Sequence, residues 1–180
     1  MRSLSAKRAL DLAGSLSLLL LLAPVLAVAY AAVALTSPGA AGRAFLRQPR
    51  AGLRGEPFLM LGFRADPDSP VGRLLHRLSL DGLPQLINVV RGEMSLVGPR
   101  PLPVEDGPRT GLARGRLTVL PGMTGLWQVS GRSELPWDEM VLLDLEYVDT
   151  HCLAVDLGIL ARTVPAALTL RAHPAKAACR

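Results

Sequence analysis

Lysine is almost missing from this chain. Lys7 and Lys176 are the two lysines among 20 basic residues, and the rest are arginine. Aromatic residues make up 4%, so a soluble core must be built from leucine, valine and alanine, many of which lie in the first 35 residues. The two cysteines, Cys152 and Cys179, form neither a disulfide framework nor a metal-ligand spacing and fit a reducing cytosol. His76, His151 and His173 do not cluster, which argues against zinc. There is no G-x-x-x-x-G-K-[ST] loop and no complete G-x-G-x-x-G after a strand, so the common glycine cradles for nucleotides are excluded. Internal repeats are absent. At 180 residues the length suits one domain plus a membrane element.

The net charge is +5. Carried by arginine, it suits two tasks equally: bidentate recognition of phosphate and adhesion to anionic lipid. Nucleic-acid binding fits poorly, because the arginines are dispersed and an apolar segment opens the chain. Leu12 to Leu35 is a run of 24 residues without a charge. As one straight helix it would reach roughly 36 Å, enough to cross the hydrocarbon. Three readings compete: a spanning helix, a signal peptide, and a re-entrant helix that returns to the face it entered. Arg2, Lys7, Arg8 and Ala27-Val28-Ala29 have the look of a signal peptide. Pro24, central in the run, removes a backbone hydrogen bond and bends the helix. Basic residues flank both ends, with Arg43, Arg47, Arg50 and Arg54 on the far side, so there is no inside-outside asymmetry. Both observations suit the re-entrant form, though a kinked spanning helix also tolerates proline.

Beyond a turn at Thr36-Ser37-Pro38-Gly39, residues 40 to 60 are basic and short-patterned, with Phe58 to Leu61 a brief strand. Val71, Leu74, Leu75 and Leu78 predict a helix over 71–80 with Arg73 and Arg77 off its apolar face. A second helix is predicted over 83–90, with Pro84 in its first turn. Residues 102 to 118 read as a charged connector and Pro121 to Arg132 as a glycine-punctuated loop. A helix opens at Pro136 or Trp137 and runs to about Val148, with Asp138 and Glu139 suited to its N-terminal dipole. A last apolar helix covers about 153–170, interrupted at Pro165.

Asp81 lies in Ser79-Leu80-Asp81-Gly82-Leu83-Pro84-Gln85-Leu86, a carboxylate in a tight turn among leucines. It reads as a nucleophile or, more commonly for such a position, as an N-cap for the helix that follows. Arg100, between Pro99 and Pro101, sits on a stiff extended segment able to aim its side chain at a phosphate, or is a plain surface arginine. Gly122, Gly125 and Gly131 either let backbone amides approach a phosphate or simply turn the chain. Trp127 and Trp137 suit a nucleobase or the lipid headgroups.

Taken in order along nearly the whole chain, these strings resemble the bacterial sugar transferases, the monotopic phosphoglycosyl transferases. They are Lys7-Arg8-x-x-Asp11, Ser37-Pro38-Gly39, Arg47-Gln48, Gly62-Phe63-Arg64, Ser79 to Gln85, Asn88 to Pro101, Pro121 to Arg132, Leu143-Asp144-x-x-Tyr147 and Asp156-Leu157-x-Ile159-Leu160. Gly92 to Pro101 and Pro121 to Arg132 are the most specific. The resemblance implies a mostly α, membrane-associated α+β fold. Residues 1–36 would be a basic N-terminus and Pro-broken re-entrant helix, and residues 37–180 a small cytosolic domain with short strands. It implies transfer of a sugar phosphate from a UDP-sugar to a polyprenyl (undecaprenyl) phosphate, with UMP released. The reaction would lie at the cytoplasmic face of a bacterial inner membrane, in exopolysaccharide or cell-envelope glycan synthesis. Asp81 matches the family nucleophile, which forms an aspartyl-phosphosugar intermediate. Arg100, Arg64, Arg77, Gln128 and Arg132 match phosphate- or nucleotide-binding positions. Magnesium is the implied cofactor, with Asp144 and Asp156 as ligand candidates by family pattern.

The chain departs from that pattern near Asp81. The family has an Asp-Glu pair, its Glu helping to hold magnesium, and here the second position is Gly82. An Arg-Arg pair has become His76-Arg77, the Ser-Pro at the helix break is Ala23-Pro24, and Gly62 to Asp66 replaces a Lys-x-Arg-[ST]-Met string. A stretch of about two dozen residues that the family carries after that string is absent near 65–70. The alternative expectation is therefore a catalytically impaired paralogue that binds or scaffolds at the membrane.

Overall fold

The computed structural model describes residues 2–36, 44–104, 112–130 and 136–169. Two helices open it, α1 (Arg2–Leu21) and α2 (Ala23–Thr36). They meet at a bend of 64°. Pro24 causes it: in the first turn of α2 it brings no N–H and its ring crowds the preceding turn. The ladder is kept on either side, with Leu22 N–H donating to Leu18 O and Leu26 N–H to Leu22 O, both at 2.8 Å. Among the described residues no single helix is long and apolar enough to cross a membrane, whereas the bent pair is so by length and composition. Leu20, Leu21, Val28 and Leu35 on this pair are each more than two-thirds exposed.

Next comes a hairpin of β1 (Phe45–Ala51) and β2 (Pro57–Phe63), antiparallel with Phe45 opposite Phe63 and Ala51 opposite Pro57. It is longer than the brief strand expected at 58–61. The sequence pattern missed β1 because Arg47, Gln48, Pro49 and Arg50 mask its alternation. Helix α3 (Pro70–Arg77) is capped by Ser69, whose Oγ accepts from Gly72 N–H at 2.8 Å. Helix α4 (Gln85–Arg91) stops at Gly92, which takes a left-handed φ of 87° suited to glycine. The predicted helices over 71–80 and 83–90 are thus present with shorter ends.

Strand β3 (Ser95–Val97) pairs in parallel with β4 (Gly122–Thr124). Pro121 to Arg132 is therefore not a loop throughout: β4 and α5 (Leu126–Ser130) occupy most of it. The charged connector likewise holds a short 3-10 helix, Leu112–Thr118. Helices α6 (Trp137–Thr150) and α7 (Leu153–Thr169) complete the chain, with Pro165 inside α7. The fold is α+β, dominated by helix with two small sheets.

Two apolar clusters hold it together. Leu86, Val89, Met94, Leu96, Val97, Tyr147 and Ile159 form the main one. Ala29, Val33, Ala44, Phe63 and Leu75 form the other, which fastens α2 to the hairpin and α3. The first turns of α1 enter the main cluster through charge. Lys7 Nζ donates to Asp156 Oδ2 at 2.7 Å and to Tyr147 OH and Val97 O at 3.2 Å. Arg8 covers the last carbonyls of α4, reaching Val89 O at 2.6 Å and Val90 O at 2.8 Å. Asp11 Oδ1 accepts from Ser95 Oγ and Leu96 N–H, both at 3.0 Å. These residues are parts of the core, which speaks against a cleaved leader ending near Ala29.

Candidate active site

Asp81 occupies the turn between α3 and α4. Its backbone carbonyl accepts from Phe63 N–H at 2.9 Å, so the turn is docked on the Phe63 end of the hairpin. Its carboxylate is half-buried, with Oδ2 3.3 Å from His76 Nδ1. It does not cap α4: the N-cap is Pro84 and no side-chain cap bond is made. The N-cap reading is corrected accordingly, because Leu83 and Pro84 put one more tight turn between Asp81 and the helix. Arg77 ends α3 four residues before Asp81. Arg64 follows Phe63, with its N–H donated to Ala44 O at 2.8 Å. Both guanidinium side chains are exposed. Half-buried Asp81 and exposed His76, Arg77 and Arg64 therefore lie on adjoining segments at this end of the hairpin.

Arg100 is elsewhere. The hairpin end that carries Ala51 donates its N–H to Leu102 O at 2.9 Å. A strand of seven residues covers roughly 20 Å, so the Pro99-Arg100-Pro101 segment and Asp81 lie toward opposite ends of the hairpin. The exposed Arg100 side chain borders a pocket of about 10 Å³ with Gly52, Leu102 and Leu117, room for about one water. Gln128, on α5, donates Nε2 to Met123 O at 3.2 Å. It lies near Gly125, where an added Cβ would come within 2.5 Å of Gly98 O, so Gln128 belongs with the Gly98–Arg100 region. Arg132 lies outside the described residues.

The Arg100 backbone is fixed by a buried pair missed at the sequence level. Arg116 Nη2 donates to Arg100 O at 3.1 Å and lies 2.6 Å from Asp144 Oδ2. Trp137 covers this guanidinium at 5.7 Å from its ring centroid. Asp144 is 1% exposed, and apart from that ion pair neither of its oxygens has a hydrogen-bond partner among the described residues. Burial pushes Asp144 up to about 6 against the opposing Arg116 charge, and burial likewise lowers Arg116 against the pull of Asp144. Tyr147 is also raised, first by burial and then by its hydrogen bond to Asp156. The sequence signal was slight: Gly115-Arg116-Leu117 reads as one more basic loop residue.

The structure does not support Asp144 and Asp156 as magnesium ligands, nor as helix-surface residues. Asp144 is committed to Arg116, and Asp156 to Lys7 and to Tyr147 OH at 2.7 Å. Among the described residues no group of three His, Cys, Asp or Glu is placed to hold a metal ion. Gly82 offers Asp81 no second carboxylate. Among the described residues, then, the groups present do not form a magnesium cage.

Residues 2–170 match the family description "Bacterial sugar transferase". The chain belongs to the bacterial sugar transferase family. It is 40% identical to a UDP-glucose:undecaprenyl-phosphate glucose-1-phosphate transferase of Caulobacter vibrioides, over 91% of this chain and 70% of that one. It is 35% identical to the exopolysaccharide production protein ExoY of Rhizobium meliloti, over 89% and 84%. Similarity to an undecaprenyl-phosphate glucose phosphotransferase of Komagataeibacter xylinus is 38% over 88% of this chain, which spans about a third of that longer protein.

Proposed function

We propose that this family member is a phosphoglycosyl transferase. It moves a sugar phosphate from a UDP-sugar to a polyprenyl phosphate and releases UMP, in exopolysaccharide or cell-envelope glycan synthesis. Residues 1–36 would be seated in the cytoplasmic leaflet of the inner membrane as a re-entrant element, with the domain from residue 37 on the cytoplasmic face. The observation that carries this reading is family membership across nearly the whole chain. The uncapped Asp81 carboxylate agrees with it.

In the proposed chemistry an Asp81 carboxylate oxygen attacks the sugar-side phosphorus of the donor. The bond to the bridging oxygen breaks, that oxygen leaves with its electron pair as part of UMP, and an acyl phosphate bearing the sugar remains on Asp81. A phosphate oxygen of the polyprenyl phosphate then attacks the same phosphorus, and the Asp81 carboxylate departs unchanged. Two anions must meet, so cations have to offset the repulsion. Arg64 and Arg77, on the segments next to the Asp81 turn, would supply them. The roughly 20 Å hairpin leaves Arg100 and Gln128 to the nucleotide end of the donor. Magnesium is retained only as a cation brought by the donor diphosphate, and no step is assigned to it.

The second reading, a silenced relative, is favoured by Gly82. The alignment to the Caulobacter transferase also runs over 189 positions while covering 91% of this chain. Since 91% of 180 residues is 164, about 25 positions have no counterpart here, consistent with a shortened loop. Gly82 is testable because a Cβ there meets only the flexible end of Gln85, at 3.2 Å. The test is UMP release by membranes containing the chain, polyprenyl phosphate, magnesium and a panel of UDP-sugars. Turnover lost in Asp81→Asn supports an active enzyme. No turnover in the parent but recovery in Gly82→Glu supports the silenced reading. Silence in both counts against transferase activity.

A further inference from the structure

The bend at Pro24 splays α2 from α1 and leaves a groove between α2 and α3 of about 440 Å³, apolar throughout. Val25 and Val28 form one wall, Leu74 and Leu78 the other, and all four are exposed. Its floor is the small Ala29 and the buried Leu75. Leu80 also lines it, and the next residue is Asp81. The groove therefore runs up to the turn that carries the nucleophilic carboxylate.

Helix α3 has two chemical faces over barely two turns. Val71, Leu74, Leu75 and Leu78 line the groove, while Arg73, His76 and Arg77 carry its basic character. His76 is the member of that set in contact with Asp81, at 3.3 Å. A ligand that matches this surface has a long hydrocarbon tail and an anionic head. Undecaprenyl phosphate, the substrate for which the relatives are named, has both parts. Anionic membrane lipids have both parts as well, but the proposed reaction requires of the acceptor alone that its phosphate come to Asp81.

We infer that the groove between α2 and α3 seats the proximal hydrocarbon of the polyprenyl phosphate acceptor, with the acceptor phosphate at the His76–Arg77 end beside Asp81. The inference rests on the proposed function for the identity of the ligand. It places the tail against the face of α2 that meets α3, and not on the rest of the helix pair, where Leu20 and Leu35 are exposed and do not line the groove. Tail binding here orients the phosphate before reaction, lowering the entropic cost of bringing two anions together.

The test is photolabelling of the full chain in phosphatidylglycerol–phosphatidylethanolamine vesicles. The probe is a polyprenyl phosphate carrying a photoreactive group on an isoprene unit near the phosphate. Labelling needs no turnover, so a failed UMP assay and a failed groove assignment are separate results. The expected result is label on α2 and α3 peptides, displaced by unlabelled polyprenyl phosphate and not by an equal mole fraction of phosphatidic acid. Val28→Trp and Leu74→Trp, which fill the groove, should cut it several-fold, while Leu35→Trp, away from the groove, leaves it unchanged. Equal displacement by phosphatidic acid would overturn the inference by showing a plain lipid-facing surface. So would label spread over the rest of α1 and α2 in the parent, a readout that does not depend on how the tryptophan variants fold.

Discussion

Asp144 and Arg116 show what a single buried pair decides. Burial raises Asp144 from 3.8 to about 6, so between those values the native chain holds a proton that the unfolded chain has released. Stability is therefore greatest below the lower value and falls as pH rises toward 6, by about 3 kcal/mol in all. Thermal unfolding in detergent between pH 4 and pH 6.5 should show that fall in the parent. It should be absent from an Arg116→Met/Asp144→Leu double variant. Asp144→Asn alone leaves Arg116 charged and buried, and should lower stability by about 3–5 kcal/mol near neutral pH, while the double variant recovers most of it. Because Arg116 also holds Arg100 O, Asp144→Asn should weaken UDP-sugar use more through KM than through kcat, read from initial rates of UMP release. The same scale decides Gly82. Restoring a carboxylate by Gly82→Glu is expected to raise turnover by about 10²-fold if one missing electrostatic support is the whole defect.

At the scale of elements, Pro24 separates α1 from α2. Alanine in its place restores an N–H and removes the ring clash, so Pro24→Ala should straighten the pair. Reporter tags at the two ends of the helix pair should both lie on the cytoplasmic side in the parent, and the one after residue 36 should shift to the opposite side in Pro24→Ala. The second element-scale constraint is the β3–β4 contact. A Cβ on Gly122 would fall 2.1 Å from Gly98 N, and backbone cannot yield as a flexible side chain does. Gly122→Ala should therefore abolish the parallel pairing and yield aggregated protein on size-exclusion chromatography. That close approach keeps the segments carrying Arg100 and Gln128 together, so the intact glycine strings of the sequence are first of all packing requirements.

For the whole molecule, the bent N-terminal helix pair and the domain are one structure. Lys7 is largely buried and Asp156 is 1% exposed, so their pairing joins the first turns of the chain to α7. Lys7→Met would strand the Asp156 carboxylate among apolar residues and should lower stability by about 3–5 kcal/mol, measured by loss of folded protein after detergent extraction. A Lys7→Met/Asp156→Leu double variant should be closer to the parent. The bent pair thus belongs to the domain's foundation, and the groove beside it opens next to the Asp81 turn.

The sequence by itself determined the family, the apolar segment and its break, the candidate nucleophile, and the helices α3, α4, α6 and α7. Those features are local: apolar spacing, a proline, a tight turn and strings of residues in order. It did not determine the ion-pair partners of Asp144, Asp156 and Lys7 or the Ser95 partner of Asp11, contacts that join residues 28 to 149 positions apart. It hid β1 behind arginines and β4 behind glycines, because a strand of three to seven residues is fixed by its neighbour and not by its own pattern. Tertiary structure alone placed Asp81 and Arg100 toward opposite ends of one hairpin. It also opened an apolar groove beside Asp81, because only packing decides which apolar faces find a partner and which are left for a ligand.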